Sequence, residues 1–127
     1  PVAALRAAAD EGLGGGAVLA LCGGTPGQQP GRYRIADPSA LVPASCPVHL
    51  IHGRDDDIVP ISQSQRYRNA ADRAGANVSL TLGTGGHFTH LDPTSRACQR
   101  LRVVLADALS AADLEARPAG IHPSIGG

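Results

Sequence analysis

A chain of 127 residues can form one domain with a modest core. Hydrophobic residues make up 43% of it, but with two tyrosines, one phenylalanine and no tryptophan the core must be built from small and aliphatic side chains. Eleven basic residues, all arginine, balance eleven acidic ones, which excludes a basic field for nucleic acid and, with no lysine, a Walker phosphate loop or a Schiff-base amine.

Residues 2–11 are strong helix formers. Gly12 and Gly14-Gly15-Gly16 interrupt them before a second apolar piece, Ala17 to Cys22, so residues 1–22 read as a helical segment. Gly12-x-Gly14-x-x-Ala17 has the outline of a dinucleotide fingerprint, but no strand precedes it and a plain helix break is expected. Residues 23–46 are rich in proline and glycine and read as an irregular connector, with one short helical turn at Asp37-Pro38-Ser39-Ala40-Leu41.

From Pro47 the pattern becomes regular. Val48-His49-Leu50-Ile51 is nearly continuous apolar sequence, as expected of a strand buried on both faces. Ser62 and Gln65 have the spacing of a capping box, and Tyr67, Ala70, Ala71 and Ala74 keep helical spacing until Gly75. Val78-Ser79-Leu80-Thr81-Leu82 reads as a second strand, followed by a flexible turn from Gly83 to Gly86. Asp92-Pro93 suggests an N-cap with proline at the first helical position. Ala97, Leu101, Val104, Leu105 and Ala108 then mark one face of a helix to about Ala112. The expected class is α/β: a βαβα unit over 47–112, with parallel strands near 47–52 and 78–82, and a frayed tail over 113–127.

Cys22, Cys46 and Cys98 are an odd number at wide spacing, which favours free thiols in a reducing, cytoplasmic setting. No apolar run approaches the ~20 residues of a membrane span and no leader opens the chain, so no membrane partner is expected.

In parallel sheets, functional groups gather in the loops beyond the carboxyl ends of the strands. Asp55, Asp56 and Asp57 follow the first strand and His87 follows the second, so both loops open on one edge. Adjacent strands lie about 4.8 Å apart, close enough for a carboxylate to meet an imidazole there. Such a carboxylate fixes the ring's tautomer and stabilises the imidazolium formed in proton transfer. Of the three aspartates, those that are not the acid are expected to be solvated or paired with Arg54. His52, at the strand end, is expected to organise the turn rather than to perform chemistry. His87, His90 and Asp92 imitate a metal cluster, but on a loop they lack the helical presentation that metalloenzymes use, so neither metal nor cofactor is expected.

The string His52-Gly53-x-x-Asp56-x-x-Val59-Pro60, followed by Gly86-His87-Phe88, resembles the carboxyl-terminal part of α/β-hydrolases, especially esterases and prolyl-oligopeptidase-like serine hydrolases. The resemblance covers about residues 20–112, and Gly23-Gly24-Thr25-Pro26 and Ala36-Asp37-Pro38 resemble the connector before the acid-bearing strand of that group. It implies that Asp56 is the acid and His87 the base of a catalytic triad acting on a small-molecule ester, amide or peptide. No Gly-x-Ser-x-Gly occurs in the 127 residues. The chain is therefore expected to be a partial α/β-hydrolase fold, inactive and poorly folded alone, with its nucleophile and oxyanion loop in a missing N-terminal half. Two other readings stand beside this one. The first is a non-catalytic α/β module that binds a partner through its sheet edge. The second is a cysteine hydrolase of the dienelactone-hydrolase type, since Cys22, Asp56 and His87 stand in the right order, although Gly23 to Pro47 offers a connector where a packed helix should follow the nucleophile.

Overall fold

In the computed structural model, which describes residues 4–116, the chain is mixed α/β, with five α-helices and a two-stranded parallel sheet. Helices α1 (Leu5–Asp10) and α2 (Ala17–Cys22) flank a 3-10 turn at Leu13–Gly16. Helix α3 (Pro30–Ala36) lies inside 23–46, where an irregular connector was expected. Pro30 stands in the first helical turn, where the N–H has no intrahelical partner to lose, so this proline starts a helix instead of breaking one. Asp37 then caps a 3-10 turn at Pro38–Ala40, accepting from the Ser39 N–H at 2.9 Å and from Ser39 Oγ at 2.7 Å.

These helices meet around Leu5, Ala8, Ala9, Val18, Cys22 and Tyr33. Tyr33 is the one large anchor, fully buried, and its hydroxyl donates to the Gly24 carbonyl at 3.0 Å. Burial, and then contact with Cys22, push its phenol above the ordinary value.

The second half is built on β1 (Val48–Gly53), α4 (Ser62–Arg73) and β2 (Val78–Gly83). The strands run parallel, in register from Val48 opposite Val78 to Gly53 opposite Gly83. Tyr67 and Ala71 of α4 pack on Val78, with Val48 and Leu50 beside them. The expectation of a strand buried on both faces is not met, since within β1 only His52 is buried. Among the described residues the sheet has two strands, so the outer edge of each is unpaired there. After a 3-10 turn at Thr89–Leu91, helix α5 (Arg96–Ala116) leans on β1, with Leu105 and Leu109 exposed. Residues 113–116 are thus helical where a tail was expected, and 117–127 lie outside the described residues.

Both of these helices start differently from their spacing patterns. Ser62 is already the first residue of α4, and the Pro60 carbonyl accepts the Gln63 N–H at 3.0 Å, so the capping box is not formed. At α5, Asp92 is occupied by the Thr94 N–H at 2.9 Å and Thr94 Oγ1 at 2.7 Å, and the cap moves to Ser95, whose Oγ accepts from the Cys98 N–H at 3.0 Å.

Polar side chains from the first turns of α4 tie the two halves together. Gln63, fully buried, accepts the Ala4 N–H at 3.1 Å and donates from Nε2 to Glu11 at 3.2 Å, while Arg66 takes the other Glu11 oxygen. Gln63→Leu leaves the Ala4 N–H buried without a partner and should lower stability by about 2 kcal/mol. Urea denaturation of the two proteins checks this, and equal midpoints would contradict it.

Candidate active site

The register ends both strands level, with Gly53 opposite Gly83, so their following loops emerge side by side. Backbone and side chain then tie the loops together. The Arg54 N–H donates to the Gly83 carbonyl at 2.9 Å and the Asp55 N–H to the Gly85 carbonyl at 3.2 Å. In return, the Gly85 N–H donates to Asp55 Oδ2 at 3.0 Å. Asp55, expected to be solvated or paired with Arg54, is instead a latch between the loops. The approach is so close that a Cβ on Gly53 would run into the Gly85 carbonyl. Gly85 itself sits at φ 101°, where only glycine is free of strain, and a Cβ there would collide with Thr89.

Inside this frame Asp56 and His87 meet. His87 Nδ1 lies 2.9 Å from Asp56 Oδ2, and Asp56 Oδ1 accepts the N–H groups of Ile58 at 3.0 Å and Val59 at 2.8 Å. The Asp56 side chain is 6% exposed and that of His87 22%. Burial alone would raise the Asp56 pKa, but the donors from Val59, His87 and Ile58 outweigh it, and the carboxyl sits below its ordinary value. Nδ1 faces the ionised carboxylate and therefore carries a hydrogen, which in the neutral ring leaves Nε2 as the bare lone pair. Nε2 has no hydrogen-bond partner among the described residues. Phe88 steadies the ring edge-to-face, with centroids 4.8 Å apart and planes at 87°. Chemically, the pair can accept a proton at Nε2 and hold the resulting cation against Asp56.

Both residues line a cleft of about 430 Å³. Leu50, Ile51, Tyr67 and Leu101 make its apolar wall, and His49, His52 and His90 add three more imidazoles. His52 does hold the turn, with Nε2 2.8 Å from the Val59 carbonyl, and its Nδ1 lies 2.8 Å from Ser64 Oγ. Neither Ser64 nor the latching role of Asp55 was visible in the spacing of the sequence, because each partner lies on another element. His90 makes no hydrogen bond to His87 or Asp92 among the described residues, and donation from Thr94 holds the Asp92 carboxyl below its usual range. Among the described residues, no group of three histidine, cysteine, aspartate or glutamate side chains is placed to hold a metal ion. Cys22 is buried in the N-terminal cluster, on the last residue of α2, and does not line the cleft. A helix end offers carbonyls, whereas a nucleophile turn offers N–H groups to an oxyanion.

No protein-family model, curated protein or solved structure matches the chain. Among the described residues, no helix is long and apolar enough to cross a membrane.

Gly53→Ala should separate the two loops and break the His87–Asp56 hydrogen bond, at a stability loss of about 2–3 kcal/mol. Calorimetry together with the His87 ring chemical shifts would show it, and an undisturbed His87 would rule it out. The lowered Asp56 pKa has a definite pH signature. A carboxyl depressed on folding contributes its full stability above the unfolded value, about 3.9, and loses it as pH falls through the folded value. Thermal stability should thus be level near neutrality and fall below about pH 4. Asp56→Asn should flatten that acid limb in part, leaving the slope due to Asp92. An acid limb identical in the variant would exclude Asp56 as its source.

Proposed function

We propose that residues 47–112 are the acid–base half of a serine hydrolase centre of the α/β-hydrolase type, acting on esters, amides or peptides by acyl transfer. The observation that carries this reading is the 2.9 Å bond between His87 Nδ1 and Asp56 Oδ2, made at the carboxyl ends of adjacent parallel strands with Nε2 left free. In such a reaction His87 Nε2 takes the proton of an attacking serine, then returns it to the leaving alkoxide or amine, and later activates water against the acyl-enzyme. Asp56 keeps Nδ1 protonated and stabilises the imidazolium in both halves of the cycle. The 127 residues hold no Gly-x-Ser-x-Gly turn, so the serine and its oxyanion donors come from other polypeptide.

Two surfaces beside the pair support a larger assembly around it. Phe88 and Leu91 are 63% and 68% exposed next to His87, an apolar surface that a covering segment would bury. The outer edge of β1 is unpaired among the described residues.

The transcript upstream of the Pro1 codon provides the first check: an open frame should encode Gly-x-Ser-x-Gly about 60–100 residues before Asp56. The longer polypeptide should react with a fluorophosphonate probe at that serine. His87→Ala should slow the labelling by about three orders of magnitude and Asp56→Asn by a similar factor. An upstream frame without such a serine, or labelling indifferent to His87, would sink the proposal.

A further inference from the structure

The Asp56 carboxylate serves two histidines, and the turn that presents it is gripped from behind. We propose that His52, braced by Ser64, is a positioning residue for the Asp56–His87 pair. The inference rests on reading that pair as an acid and a base.

His52 is 8% exposed and Ser64 6%. His52 Nε2 lies 2.8 Å from the Val59 carbonyl and 3.4 Å from Asp56 Oδ2. Both of these are acceptors, so Nε2 carries a hydrogen and points it between them. In the neutral ring Nδ1 then accepts, and Ser64 Oγ, 2.8 Å away, donates to it. Ser64 belongs to the first turn of α4, so the helix itself sets the plane of the His52 ring.

The consequences run through Val59. Its carbonyl, in the Val59–Pro60 peptide, is held by His52, and its N–H, in the preceding Ile58–Val59 peptide, is held by Asp56 Oδ1. Turning the carboxylate away from His87 would pull on the Ile58–Val59 peptide, and the His52 bond on the other side of the Val59 Cα resists that movement. On the other oxygen, the His52 Nε2 hydrogen flanks Oδ2, with Nε2 at 3.4 Å, while His87 Nδ1 lies 2.9 Å from it. His52 thus acts on the base only through the acid, by limiting the directions Oδ2 can take.

Ser64, His52 and Asp56 have the composition of a serine triad, but their geometry is that of a brace. The short bond from Nε2 goes to a backbone carbonyl, the acid is 0.6 Å farther away, and the serine is buried.

The test follows the far-downfield proton NMR resonance of His87 Nδ1–H in the chain as it stands, assigned by its disappearance in His87→Gln. His52→Gln retains a donor near the Nε2 position, whereas His52→Asn keeps only a partner for Ser64. We expect the resonance to survive in His52→Gln and to exchange with solvent about tenfold faster, or vanish, in His52→Asn. Ser64→Ala should accelerate its exchange to a lesser degree. Circular dichroism confirms that each variant is folded, and if His52→Asn is not, Ser64→Ala decides the matter. A purely space-filling His52 would lower the melting temperature in both substitutions and leave the resonance alone, which would overturn the inference. So would fluorophosphonate labelling of Ser64 in the unaltered chain, since that would make it a nucleophile. If the unaltered chain shows no such resonance, the Asp56–His87 pair itself fails and the brace falls with it. If the resonance is present but unmoved by His52→Asn, only the brace fails.

Discussion

The approach of Gly53 to the Gly85 carbonyl is the constraint on which the rest of the site depends. Parallel pairing brings two loops to within about 4.8 Å of each other but does not aim them. Here one glycine lets backbone lie directly on backbone, and the reciprocal bonds between Asp55 and Gly85 close the gap. Any side chain at residue 53 would push the histidine loop outward. The 2.9 Å contact of His87 with Asp56 is therefore a result of main-chain packing, which the side chains then exploit.

The energetics of the buried carboxylate follow from that packing. Removing an ion from water costs several kcal/mol, while each hydrogen bond to a charged group returns about 1.5–3 kcal/mol. Asp56 collects three close donors, from Ile58, Val59 and His87, and its lowered pKa says which side wins. Once both oxygens are occupied the carboxylate has little rotational freedom left, and the freedom that remains at the site is chemical: a lone pair on His87 Nε2. Among the described residues no buried side-chain nitrogen or oxygen lacks a partner, so no buried polar atom favours another arrangement.

What could be read from the amino-acid order was what depends on near neighbours. Val48–Ile51 is a nearly continuous apolar run and Val78–Leu82 alternates apolar with polar, each between breakers, and they became the two strands. Asp56 and His87 could be paired on paper because parallel strands place their following loops on one edge. Pro30 misled because proline both breaks helices and begins them, and only the surrounding packing decides which. Ser62 and Asp92 looked like caps, but the Pro60 carbonyl and Ser95 took those places. Gln63, Ser64 and Asp55 were silent for a different reason. Their partners lie 59, 12 and 30 residues away, and no local spacing encodes such bonds.

Gln63 and Ser64 are neighbours on the first turn of α4, yet they face in different directions. Gln63 reaches the N-terminal helices through Ala4 and Glu11, while Ser64 reaches the His52 ring behind the acid. A shift of α1 against α4 is therefore transmitted across one peptide bond to the brace that sets the Asp56 carboxylate. The seating of the N-terminal helices and the aim of His87 are mechanically coupled, although no atom of those helices lines the cleft.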